Sequence, residues 1–178
     1  HLLFPNGSLS AVEALYQDAP FARVYNTLIQ QTIAAALENL PDGRRLRILE
    51  IGAGTGSTTA YLLPHLPADR TDYVFTDLSP LFLEQAKEKF AAYPFVRYQL
   101  LDIEQNPPAE SYDIVVAANV LHATTDLRQT LAHVRSLLAA SGLLVLLEGT
   151  NPQLWVDLTF GLTEGWWRFT DHDLRPNY

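Results

Sequence analysis

The sequence predicts an α/β fold built on a doubly wound parallel sheet, and three observations predict it. Apolar, strand-like runs alternate with helix-period segments from Leu46 to Leu147; the first run breaks at three glycines spaced by single residues; and three successive runs end in an acid, Glu50, Asp77 and Asp102. The chain divides accordingly into residues 1–43, N-terminal helices forming a partial lid, residues 44–150, a ligand-binding α/β core, and residues 151–178, an aromatic segment covering the active site.

The 178 residues suffice for one domain with a sizeable core, and a net charge of −8 argues against nucleic acid as the principal partner. There is no cysteine, so neither disulfides nor thiolate metal sites hold the fold, and no metal is expected. No run approaches the roughly 18 apolar residues of a membrane span and no signal peptide opens the chain, so the expected setting is cytoplasmic, away from membranes. The chain has no methionine and begins at His1, which reads as a piece cut from a longer polypeptide.

In chain order, Pro5-Asn6-Gly7 is a turn sequence, Ser8 or Ser10 caps a short helix through Tyr16, and Asp18-Ala19-Pro20 breaks it. A second helix follows, with Phe21, Val24, Tyr25, Leu28, Ile29, Ile33, Leu37 and Leu40 on an amphipathic stripe and Pro41-Asp42-Gly43 as its stop. Tyr16 and Tyr25 either face the ligand as substrate-pocket residues or pack within this helical pair.

Leu46 to Ile51 reads as a buried strand. Gly52, Gly54 and Gly56 then allow positive φ and close approach of a ligand to the backbone, with the Glu50 carboxylate pointing into the same crevice. A dinucleotide fingerprint requires its third glycine at position 57, which is Ser57, so a nicotinamide or flavin dinucleotide is disfavoured. Ser57 to Leu63 forms a short helix limited by Pro64 and Pro67. Asp72 to Asp77 is the second strand, and Asp77 stands about 20 residues past the glycines, where such folds place a ribose-binding carboxylate. Ser79 caps and Pro80 opens a helix to about Phe90.

Val96 to Leu100 alternates as a strand, with Asp102 after its end. Past Pro107-Pro108, the first half of Tyr112 to His122 is a fourth, buried strand. Thr124 or Thr125 caps a helix carrying Leu127, Leu131, Val134 and Leu138, stopped by Ser141-Gly142, and Leu143 to Leu147 is a fifth strand ending at Glu148-Gly149. Neighbouring strands lie about 4.8 Å apart, so His122 and Glu148, leaving the ends of strands four and five, are within hydrogen-bond reach if those strands adjoin. The pair forms a general-base dyad in which Glu148 fixes the imidazole tautomer, and Asn119 is placed to donate to a developing oxyanion. Asp157 to Phe169 reads as a helix plus a loop folded over the crevice. Adjacent Trp166 and Trp167 cannot share one helix face, so they either line an acyl pocket or plug the core.

The pattern Glu50-x-Gly52-x-Gly54-x-Gly56 resembles motif I of the class I S-adenosylmethionine (SAM) dependent methyltransferases, where an acid before the glycines suits the cationic amino group of SAM. Tyr73 to Pro80, Ala117 to Thr124 and Asp157 to Asp171 with Gly165-Trp166-Trp167-Arg168-Phe169 look, more narrowly, like the C-methyltransferase domains embedded in modular polyketide synthases. The resemblance implies a Rossmann-like class I methyltransferase core, SAM as cofactor, and Glu50, Gly52, Gly54, Gly56, Asp77, Asp102 and Asn119 as its binding residues. It further implies neighbouring synthase domains and an acyl carrier protein as partners, His122 as the base removing the α-proton of a β-ketoacyl thioester, Glu148 as its orienting partner and Asn119 as an enolate ligand.

Two features depart from that family. Nothing after Glu148 reads as the two further strands of a complete core, which leaves the edge of strand five open, and the lid is short. O-methylation of a β-hydroxyacyl intermediate and a degenerate, noncatalytic spacer are the alternative readings.

Overall fold

The computed structural model describes residues 10–38, 40, 43–163 and 166–175; the expected turn at Pro5-Asn6-Gly7, the Ser8 cap, the Pro41-Asp42 stop and Gly165 lie outside the described residues. Five strands, β1 (Leu46–Ile51), β2 (Thr71–Asp77), β3 (Val96–Leu100), β4 (Tyr112–Ala118) and β5 (Leu138–Leu147), form one parallel sheet in the order β3-β2-β1-β4-β5. The order reverses between β1 and β4, and a crevice opens beyond the carboxyl ends of strands at such a switch point.

Successive side chains of a strand point to opposite faces, and the two cores follow that period. Ile48, Tyr73, Phe75, Ile114 and Val116 face one side, where Ile29 and Ile33 of α2 (Pro20–Leu37), Leu62 of α3 (Ser57–Leu62) and Leu83 and Ala86 of α4 (Pro80–Lys89) cover them. Leu49, Ile51, Val74, Val115 and Ala117 face the other, beneath Val134 and Leu137 of α5 (Leu127–Leu137). The continuous apolar runs of β1, β2 and β4 are thus explained by burial on both faces. The first helix, α1, spans Ser10–Gln17, and α6 spans Leu154–Thr159.

Several element ends differ from expectation. Neither Thr124 nor Thr125 caps α5: the Asp126 carboxylate does, accepting from the amides of Arg128 (2.8 Å) and Gln129 (3.2 Å), because Asp126 is the residue adjoining the first helical turn. Helix α5 stops at Leu137, and Ser141-Gly142 does not end it but lies in an irregularity of β5, where Leu138 pairs with Tyr112 and Leu143 with Ile114. Ser79 makes no side-chain cap; its amide donates instead to Asp77 Oδ1 at 2.8 Å. Helix α3 ends at Leu62 and tightens into a 3-10 turn over Leu63–His65. The last helix begins at Leu154, ahead of the expected Asp157. Helix α2 buries Ala22, Asn26, Ile29 and Ile33, so Phe21, Val24, Tyr25 and Leu28 of the expected stripe fall on an exposed side. Among the described residues there is no strand after β5, and no helix is long and apolar enough to cross a membrane.

Replacement of Asp126 by alanine removes the cap of α5 and is expected to lower the unfolding free energy by about 1 kcal/mol, read by urea denaturation. A change too small to measure contradicts the cap.

Candidate active site

At the carboxyl end of β1 the chain turns through Gly52, Gly54 and Gly56, all at positive φ (60°, 55° and 72°). The three differ in what their missing side chain leaves open. A Cβ on Gly52 would stand 2.2 Å from a Val120 methyl, and one on Gly56 would stand 2.6 Å from the Phe90 ring, so these two make room for the protein itself. A Cβ on Gly54 would meet nothing nearer than Gly52 O at 4.0 Å. Gly54 therefore opens on the crevice, where a ligand can lie against the backbone.

Asp77, at the end of β2, holds the turn in place: Oδ2 accepts from the Gly54 amide at 2.9 Å and Oδ1 from that of Ser79 at 2.8 Å. Glu50 is more deeply set than the sequence suggests, at 2% exposure, and its Oε2 accepts from both Thr59 Oγ1 and Tyr73 Oη at 2.5 Å. Burial pushes its carboxyl up to about 7 against the opposing effect of those hydroxyl donors, and the nearby Asp77 charge adds to the rise. Burial and the Glu50 charge also raise Tyr73 well above the ordinary phenol range.

The other half of the site hangs from β4 and β5. Ala118 and Leu147 are in register, and Asn119, at φ 53°, donates its amide to Leu147 O at 2.7 Å. That left-handed step starts a tight turn, with a 3-10 segment over Leu121–Ala123, which carries His122 back over the end of β5. The His122 ring meets Glu148 there, Nδ1 to Oε2 at 2.6 Å. The second oxygen, Oε1, accepts from the amides of Leu121 (2.6 Å), Val120 (3.1 Å) and His122 (3.4 Å). A carboxylate against Nδ1 favours the tautomer that carries its proton there, which in the neutral ring leaves the lone pair on Nε2. The Trp166 ring meets the imidazole at 5.1 Å between centroids and stacks on Phe160 at 5.9 Å. Tyr16 contacts Phe160 from the N-terminal side, and burial with the Glu148 charge pushes its hydroxyl up to about 12.

Both halves line one cleft of about 770 Å³. Of the sequence-predicted site residues, the cleft brings together Tyr16, Tyr25, Glu50, Gly52, Gly54, Asp77, Asn119, His122, Glu148 and Trp166. Gly56, Asp102 and Trp167 are not in its lining. Gly56 faces Phe90; Asp102 accepts the Glu104 amide at 3.0 Å in a turn past β3; Trp167 is half exposed and donates its ring N–H to Gly161 O at 2.9 Å.

Sequence reasoning passed over Asn26, which is buried on α2, donates to Tyr16 O and accepts from Thr58 Oγ1, both at 2.9 Å. A polar residue on the buried face Ala22, Asn26, Ile29, Ile33 is the signal that marks it. It also passed over Thr59 and Tyr73, the partners of Glu50, and over Asp171 and Arg175. The last two are a buried pair at i, i+4 spacing beneath the His122 turn.

Residues 49–144 match the family described as methyltransferase domain. The chain is 43% identical over 165 residues to the non-reducing polyketide synthase mapC of Penicillium roqueforti, covering 88% of this chain and 7% of that protein. Among solved structures, the CurJ carbon methyltransferase superposes with a TM-score of 0.96 at 54% identity, over 99% of this chain and 48% of that one. The trans-methyltransferase CalH, in complex with SAH (S-adenosylhomocysteine), superposes with a TM-score of 0.75 at 40% identity, over 98% and 48%. The chain thus spans a small fraction of that synthase and about half of the solved chains.

Glu50 makes stability depend on pH. Its folded carboxyl sits above the unfolded value of 4.5, so the folded state holds the extra proton between 4.5 and about 7. The stabilisation is complete below 4.5 and is lost as pH rises through 7, an effect on the order of 3 kcal/mol. Comparing the wild type with Glu50→Gln across that window by denaturant titration should show this decline in the wild type alone; parallel profiles contradict the buried, protonated carboxyl.

Proposed function

We propose that this chain, which belongs to the methyltransferase domain family, methylates the α-carbon of a β-ketoacyl group held on an acyl carrier protein within a polyketide synthase. The single observation that carries the reading is the His122–Glu148 contact at 2.6 Å on the wall of the same cleft that Gly54 opens. Similarity to the CurJ carbon methyltransferase, and to CalH in complex with SAH, supports carbon as the acceptor and SAM as the cofactor.

The residues present fit SAM. Gly54 leaves its backbone bare to the cleft, Asp77 presents a carboxylate to ribose hydroxyls, and Glu50 lines the same cleft, where a bound ammonium group would favour the ionised form of a carboxyl that burial otherwise keeps protonated. When bound, SAM supplies a methyl group already activated on a sulfonium. The protein's work is then to make a nucleophile and align it, an effect of orientation as much as of proton transfer.

The α-carbon between ketone and thioester becomes that nucleophile by losing a proton. His122 Nε2 takes the proton, and the C–H electron pair passes into the enolate, whose oxygen Asn119 is placed to hydrogen-bond. Glu148 holds the ring through Nδ1 and balances the charge the imidazole gains. With SAM held at the glycine turn beside Gly54, Asp77 and Glu50, its activated methyl would be the group offered to that carbon, while Asn119 and the His122–Glu148 pair hold the enolate facing it. Trp166, Phe160 and Tyr16 keep this end of the cleft apolar, and α1 with α2 acts as part of a lid over it.

Intact-mass measurement of a β-ketoacyl carrier protein incubated with this protein and SAM should show gain of one methyl group, and a β-hydroxyacyl carrier protein none. Turnover should fall at least about 100-fold in His122→Ala with SAM affinity retained, while Asp77→Ala weakens SAM binding. Methylation of the hydroxyacyl form alone, or unimpaired turnover in His122→Ala, contradicts the proposal.

A further inference from the structure

The turn that carries His122 is wrapped on its far side by residues 168–175. Arg168 Nε donates to Ala123 O at 3.3 Å, the Thr170 amide to Thr125 O at 2.9 Å, and the Leu127 amide to Asp171 Oδ2 at 2.9 Å. At the centre lies Arg175, 7% exposed. Its Nε donates to Asp171 Oδ1 at 2.6 Å, its Nη1 to the carbonyl oxygen of His122 at 2.5 Å, and its Nη2 to the carbonyl oxygen of Thr124; its guanidinium stands 4.8 Å over the Phe169 ring. Asp171 is itself 4% exposed. The arrangement is a buried, charge-neutral unit that reaches the backbone of the turn at three points.

We propose that Arg175, anchored by Asp171, is a positioning residue that fixes the His122 ring for proton abstraction, an inference that rests on the reading of His122 as the base. Glu148 grips the turn from the sheet side, through three amides and the imidazole. Those contacts leave the carbonyls of the turn pointing away, and a planar guanidinium is the group that can take two carbonyls and a carboxylate in one plane. Held from both sides, the backbone at 122 cannot tilt, and the ring cannot swing about its bond to Glu148. A lysine at 175 keeps the charge beside Asp171 but has no rigid fork with which to reach both carbonyls.

The test is Arg175→Lys in the full-length protein, with Asp171→Asn as a second variant that keeps an acceptor for the Leu127 amide. Arg128→Ala, which breaks the exposed Arg128–Asp173 pair on the same segment, is the control. Either clamp variant should lower kcat tenfold or more with the KM for SAM within twofold, and should shift or broaden the downfield proton resonance of His122 Nδ1. The control should stay within twofold of wild type on all three readouts. A kcat within twofold of wild type in the clamp variants, or a loss of kcat matched by an equal rise in the KM for SAM with the resonance unmoved, overturns the proposal. His122→Ala run alongside separates the two claims. If it abolishes turnover while the clamp variants behave as wild type, the clamp alone fails; if it turns over normally, the base fails and the clamp with it.

Discussion

The site depends on one carboxylate. Glu148 stands at the end of β5, next to Asn119 at the end of β4, and divides its two oxygens between jobs: Oε1 gathers the amides of Val120, Leu121 and His122, and Oε2 takes the imidazole. Charge-assisted bonds of this kind are stronger than neutral ones, and here they close a turn that the left-handed backbone at Asn119 begins. Without the parallel pairing that sets Ala118 beside Leu147, the His122 ring and the Glu148 carboxylate would not meet. The sheet's register is thus the source of the dyad.

Around that point the cleft is assembled from separate pieces of chain. The central strand β1 delivers the glycine turn; β2 delivers Asp77, which ties that turn down; α1 and α2 bring Tyr16, Tyr25 and Asn26 over the opening. The segment beyond β5 closes it with Phe160 and Trp166 and then passes beneath the His122 turn. One end of the cleft is polar, with two carboxylates and an open backbone; the other is aromatic. That division suits a polar, cationic cofactor at one end and an apolar group at the other.

The sheet and the meeting of His122 with Glu148 were legible in the sequence because both follow from strong local rules. Apolar runs of strand length fix β1, β2 and β4, the first breaking at Gly52 and the second ending in Asp77, and the ends of β4 and β5 place His122 and Glu148. The capping of α5 was less legible, since Thr124, Thr125 and Asp126 are all capable caps and only the tertiary path selects Asp126. Amphipathicity misassigned the exposed side of α2 because its Phe21, Val24, Tyr25 and Leu28 satisfy helix periodicity while the buried contact is made by the smaller Ala22 and the polar Asn26. Arg175 stands four residues after its side-chain partner Asp171, but its other two partners are backbone carbonyls about fifty residues away, which no side-chain pattern records.

The central claim is that His122, oriented by Glu148, removes a proton from carbon. It is tested most directly by following exchange of the α-hydrogen of a β-ketoacyl carrier protein into D2O, with the enzyme held in its S-adenosylhomocysteine complex so that no methyl group is available. The account predicts exchange faster than the uncatalysed background in wild type, reduced to that background in His122→Ala and strongly slowed in Glu148→Gln. Equal exchange in wild type and His122→Ala would contradict it.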